Sequence, residues 1–135
     1  MYKIGYTFEY SFLFSQQQVV SFAEITGDNN PIHLDTEYAA NSLFKKPIIH
    51  GYLGGSVFSK VFGTIFPGEG TIYLSQTMEF RRPMYVETRY KAIFTIVSVE
   101  NEKKKAVINT YITDVNEKIV ITGQAIIMHD TFINI

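Results

Sequence analysis

Between residues 27 and 33 the chain reads Gly27-Asp28-Asn29-Asn30-Pro31-Ile32-His33. A carboxylate and an imidazole stand five residues apart on a segment that Pro31 marks as a turn. A turn can aim both side chains into one pocket, which a helix at that spacing does poorly. Such a pair can hold a water between its members and trade protons with it. The imidazole titrates near neutrality, and a partly buried carboxylate is tuned upward. Asn30 reads as the residue that holds the turn by bonding backbone. Seventeen residues after His33 comes His50-Gly51, at the head of a strongly apolar segment. The first amides of a helix have no internal acceptor and carry the positive end of its dipole. Glycine there lets a ligand oxygen approach the backbone N–H, which is how an oxyanion site is built. Carboxylate, imidazole and backbone donor together suit chemistry at the carbon atoms next to a carbonyl. His50 either orients the helix entry or touches the ligand.

Taken singly, these residues have blander roles. Asp28 alone is a turn or capping residue, and His33 alone a hydrogen-bonding structural histidine. Asp35 reads as a helix cap. His129, near the end of the chain, reads as simply exposed. Arg81, Arg82, Lys45 and Lys46 read as solvated surface. The chain has no cysteine, which excludes disulfides, thiolate nucleophiles and Cys-type zinc sites. Its three histidines are far apart in sequence and show no ligand spacing, so no metal is expected. A net charge of -1 removes the electrostatic reason to propose nucleic acid. No apolar run approaches the ~18 residues of a membrane span, and the N-terminus lacks a signal-peptide pattern. A cytoplasmic protein away from the membrane is the expectation.

The elements that must position these residues follow from periodicity. The 135 residues fit one domain, 1–135, long enough to bury a core without staples. Tyr6, Phe8, Tyr10, Phe12 and Phe14 alternate, giving a strand with one aromatic face, core or interface in character. Ser15 and Gln18 form a capping box ahead of a helix that Gly27 stops. Residues 28–34 form a polar turn, and a short helix follows from Asp35 or Thr36 to Phe44. The segment Ile48 to Phe66 is apolar on every side, so its helix must be buried all round. Strands are expected over Thr71 to Phe80, Tyr85 to Val99, Ala106 to Val115 and Lys118 to Met128, with turns at 101–105 and 116–117. One strand, a buried helix and three or four long strands after it give an α+β fold, an antiparallel sheet packed on a buried helix.

The chain resembles the MaoC-like, or (R)-specific, enoyl-CoA hydratases. The likeness rests on Gly27-Asp28, Asn30-Pro31-Ile32-His33, Pro47-Ile48, His50-Gly51, Pro67-Gly68, Tyr73-Leu74 and Gln76, in order along almost the whole chain. The combination of Asp-x-Asn-Pro-x-His with Pro-x-x-His-Gly is highly specific. The resemblance implies a hot-dog fold and a homodimer or an even multiple of one. It implies action on trans-2-enoyl thioesters of CoA or acyl-carrier protein, or their (R)-3-hydroxyacyl counterparts, with no cofactor. Asp28 and His33 would be the catalytic dyad, the Gly51 amide would polarise the thioester carbonyl, and Ser59 would lie near the active site. One departure is Glu87-Thr88, where many members carry Gly-Asp. The surface cations gain an alternative reading as contacts to carrier phosphates. The rivals are a hot-dog thioesterase and a non-catalytic acyl-thioester-binding subunit. Tyr52, Leu53, Phe58 and Phe62, read as tunnel walls, point to acyl groups of roughly four to six carbons, since overfilling a packed site is penalised.

Overall fold

The computed structural model describes residues 2–132. Strand β1 (Thr7–Phe12) is followed by helices α1 (Gln16–Thr26), α2 (Pro31–Leu34), α3 (Thr36–Ala40) and α4 (Gly51–Thr64). Strands β2 (Ile72–Phe80), β3 (Tyr90–Glu100), β4 (Lys105–Thr113) and β5 (Ile119–Met128) follow, with short 3-10 turns at Asn101–Lys103 and Asp130–Phe132. The five strands form one antiparallel sheet in the order β1-β3-β4-β5-β2. The sheet packs on α4, the hot-dog arrangement expected. No helix among the described residues is long and apolar enough to cross a membrane.

The core lies between α4 and the sheet. Val57, Phe58, Val61 and Phe62 of α4 are buried against Phe94, Ile96, Ile108 and Ile127. Phe58 and Phe62 each meet the Phe94 ring edge-on, a favoured aromatic geometry. The aromatic face of β1 turns inward: Phe8 stacks on Phe66, and Phe12 is buried. The period-two pattern therefore marks core here. Gly55 lets α4 approach β2, since a Cβ there would meet the sulfur of Met78, and Gly54 lets it approach Met84 in the segment between β2 and β3.

Local chemistry sets the element ends. Ser15 and Gln18 make the reciprocal capping box, and Gly27 ends α1 at φ 79°. Three expectations need correction. The polar turn at 28–34 contains a full helical turn, α2, with Pro31 at its start and the Asn30 side chain accepting from the Ile32 N–H. The next helix stops at Ala40, not Phe44. There the Asn41 side chain bonds the Glu37 carbonyl, and the Ser42 hydroxyl bonds that of Ala39, competing with the helix ladder. The strand expected from Tyr85 begins at Tyr90 instead. Glu87 sits at φ 52°, a left-handed conformation outside the range of regular strand, and its N–H bonds Phe14 O. This is the position where glycine stands in many of the chains it resembles, and glycine adopts that backbone without steric cost.

Candidate active site

Three side chains converge where α1 hands over to α2 and where α4 begins. Ligating atoms of Asp28, His33 and His50 all lie within 4.8 Å of one another. Asp28 follows the left-handed Gly27, which turns the chain out of α1. His33 lies in the single turn of α2, and His50 is the N-cap residue of α4.

His33 is buried. Its Nδ1–H donates to the Ile48 carbonyl at 2.8 Å. A carbonyl only accepts, so this bond fixes the tautomer and leaves Nε2 with a free lone pair. Burial pushes the His33 pKa below the ordinary histidine value. The Ile48 bond opposes that shift, His50 adds to it, and Asp28 opposes it. His50 is 2% exposed. By the same logic its Nε2–H donates to the Asp28 carbonyl at 2.9 Å. Its Nδ1 is buried with no hydrogen-bond partner among the described residues. The two imidazoles stack with centroids 3.9 Å apart at 28°. The Phe22 ring covers His50 at 4.8 Å. The Asp28 side chain is exposed, in contrast to the partly buried carboxylate expected.

The grouping of two histidines and an aspartate was not legible in the spacing, which gave no ligand signal. Each histidine gives one ring nitrogen to a carbonyl and keeps the other.

Gly51 is the first residue of α4, so its N–H has no acceptor inside the helix. A Cβ there would come within 2.7 Å of the Phe80 ring, so glycine is needed for close packing as well. Gly51 borders a cavity of about 370 Å³ lined by Phe44, Ile48, Tyr52, Phe80, Arg82 and Met84 among others. A second, more open groove of about 670 Å³ lies along the other side of α4, with Tyr52, Ser56 and Ser59 facing Tyr73 and Gln76 of β2. Ser59 is exposed there, about 12 Å along the helix from Gly51 at 1.5 Å per residue. The same groove is lined by Phe22, which covers His50, and by Thr26, whose hydroxyl accepts from the Asp28 N–H. Phe58 and Phe62 are fully buried in the core and border neither cavity, so of the bulky α4 residues Tyr52 alone lines both.

Asn30 caps α2 and thereby sets the backbone between Asp28 and His33. Asp35 caps α3 through the Tyr38 N–H. His129 is not loose: its Nε2–H donates to the Glu69 carbonyl and its Nδ1 accepts from the Thr131 N–H. Ile48, Phe22 and Gln16, whose side chain donates to the His33 carbonyl, are site residues that sequence reasoning missed. Ile48 acts through its main chain and could give no side-chain signal.

A hot-dog sheet carrying an Asp–His pair beside the head of its central helix defines one class of protein, and the chain belongs to it: residues 3–117 match the MaoC like domain family. Its relatives are specific. It is 34% identical to an (R)-specific enoyl-CoA hydratase of Aeromonas caviae over 125 residues, 93% of each chain. It is 36% identical to a 3-hydroxybutyryl-CoA dehydratase of Methylorubrum extorquens over 113 residues, 84% of this chain and 71% of that one. The solved structure of the (R)-hydratase from A. caviae involved in PHA biosynthesis superposes with a TM-score of 0.90 at 33% identity, covering 94% of this chain and 96% of that one.

Proposed function

We propose that this protein is a hydro-lyase that interconverts trans-2-enoyl thioesters and (R)-3-hydroxyacyl thioesters, carried on CoA or acyl-carrier protein. The observation that carries the reading is the tautomer of His33. Its Nδ1–H is held by the Ile48 carbonyl, so its basic Nε2 is free beside the Asp28 carboxylate, next to the head of α4. Relatives named as hydratases and dehydratases over most of the chain support the same reaction.

In hydration, a water held between Asp28 and His33 attacks C3. One member of the pair takes the proton that this water loses as its oxygen bonds C3. Passed to the other member, that same proton is delivered to C2, which leaves both members as they began. The enolate-like charge that develops on the thioester oxygen is stabilised by the Gly51 N–H. His50 and Asn30 support the pair, each from its own bond to the backbone of the 28–33 segment. Ser59 faces the groove beside β2, where a second copy of the chain would complete the site in a homodimer.

The test is purified protein with crotonyl-CoA, followed at the enoyl-thioester absorbance with and without a thiol reagent. Loss of absorbance without thiol release supports hydration. Thiol release identifies a thioesterase, and no reaction identifies a binding subunit. Asp28→Asn and His33→Ala should each lower kcat by about 10² or more, the usual share of general acid–base catalysis, with the fold retained by circular dichroism. A folded variant that keeps most of its activity removes that residue from the mechanism.

A further inference from the structure

The tautomers of the two buried histidines leave an acceptor-only set of atoms between α2 and the head of α4. His33 donates its Nδ1–H to the Ile48 carbonyl, and His50 donates its Nε2–H to the Asp28 carbonyl. What remains is a lone pair on His33 Nε2, a lone pair on His50 Nδ1 and the Asp28 carboxylate. One ligating atom from each residue lies within 4.8 Å of the other two. His50 is 2% exposed, and among the described residues no donor answers its Nδ1. A buried acceptor without a donor is destabilising. A water brings two O–H donors, one fewer than the acceptors here. A cation satisfies all three at once. The outer contacts have the same character: a histidine that ligates a metal nearly always donates its other ring N–H to a carbonyl or carboxylate, and both of these do.

We propose that Asp28, His33 and His50 form an inhibitory site for a divalent transition-metal ion, zinc foremost. Two imidazoles and one carboxylate suit zinc, whereas magnesium and calcium take oxygen ligands. Ligands of a tetrahedral zinc ion, at bond lengths of about 2.0–2.2 Å, stand about 3.3 Å apart, so the three groups need to close by on the order of 1.5 Å at most. Both histidines are held through main-chain carbonyls, and Asp28, which is exposed, is the side chain with room to move. The bound ion occupies the Asp28 carboxylate and the His33 lone pair, the two groups that hold the water for hydration. Loss of activity on binding rests on that reading of the pair; the binding itself does not.

The experiment titrates metal-stripped protein with zinc chloride, followed by calorimetry and by NMR of the imidazole protons. One equivalent should bind per chain, shifting the His33 and His50 signals together and leaving those of His129 in place. Asp28→Ala, His33→Ala and His50→Phe should each weaken zinc by about 10- to 100-fold or more, since even the loss of an outer-shell partner has that effect. Asp28 is exposed, so Asp28→Ala tests the site without putting the fold at risk as the buried histidine variants do. His129→Ala should bind zinc as wild type does, and magnesium chloride should not replace zinc. Hydration of crotonyl-CoA should fall in step with occupancy and return when EDTA removes the ion. Four results each overturn the proposal: wild-type protein that does not bind zinc, zinc that shifts His129 instead, Asp28→Ala that binds as tightly as wild type, and a filled site that leaves hydration intact. Failure of zinc-free protein to hydrate crotonyl-CoA would overturn the hydratase reading instead, and the titration would still decide the metal site.

Discussion

At the scale of residues, the pair at 28 and 33 is held by main-chain carbonyls. His33 is oriented by Ile48, 15 positions away, and the Asp28 backbone by His50, 22 positions away. His50 also stacks on the His33 ring, so one buried side chain touches both members. The two contacts are separable. His50→Phe keeps a ring against His33 and removes the donor to Asp28. His50→Gln keeps a donor of similar reach and removes the ring. If the hydrogen bond does the positioning, kcat should fall about tenfold in His50→Phe, the loss of roughly 1.4 kcal/mol, and recover in large part in His50→Gln. KM should move little in either. An unchanged kcat in a folded His50→Phe would leave His50 with a packing role only. The protonation of His33 gives a second test. Burial disfavours its charged form, so the neutral imidazole persists to lower pH than in a free histidine. If neutral His33 is the working form, activity is lost as pH falls through the folded-state value, and the acid limb of kcat/KM lies below the ordinary histidine range. The Asp28 charge opposes the shift, so Asp28→Asn should move the His33 titration lower still, read by NMR of the imidazole protons. An upward move would reverse the assigned sign.

At the scale of elements, the sheet has one point of very close contact. A Cβ on Gly123 of β5 would run into the Thr77 carbonyl of β2. That atom is backbone and cannot swing aside, so Gly123→Ala must push β2 away from β5. The expected cost is about 1–3 kcal/mol, the range for overpacking, measured by urea denaturation. A variant as stable as wild type would mean that β2 yields freely. Legibility follows the same division between local and distant causes. The capping box at Ser15 and Gln18, the Gly27 stop and the apolar α4 were readable because each is written in neighbouring residues. The start of β3 was not, because Glu87 adopts a positive φ while bonding Phe14, a partner 73 positions earlier. The end of α3 turned on Asn41 and Ser42 bonding back into their own helix, a competition that residue type allows but does not decide. Asp28, His33 and His50 were identifiable by type and motif. Their stacking, the two carbonyl contacts and the exposure of Asp28 depend on how α2 and α4 dock, and periodicity carries no record of that.

At the scale of the whole molecule, the sheet has two free edges, β1 and β2, and they differ. Strand β1 is six residues long, turns its aromatics into the core, and carries Glu9 paired with Lys91 on its outer side. Strand β2 is nine residues long and is buried nowhere along its length. Ile72, Leu74 and Phe80 are 55%, 43% and 49% exposed. A long apolar edge with unpaired backbone groups is a template for another strand, and a protein must either blunt it or cover it. Its only blunting device is a register irregularity between Tyr73 and Ser75: β2 contains no proline or lysine, and its one charged residue, Glu79, is near its end. A second copy placed edge to edge through β2 would continue the sheet, cover the apolar residues and close the groove where Tyr52, Ser56 and Ser59 of α4 face solvent. We therefore expect a dimer or an even multiple by sedimentation at micromolar concentration. Leu74→Lys should convert it to monomer, because a lysine on an edge strand opposes pairing. If the groove is completed by the partner, activity should fall along with the dimer and return at protein concentrations that restore it. A wild-type monomer that hydrates enoyl thioesters at full rate would sink the shared-site picture. A Leu74→Lys variant that stays dimeric would instead move the interface away from β2.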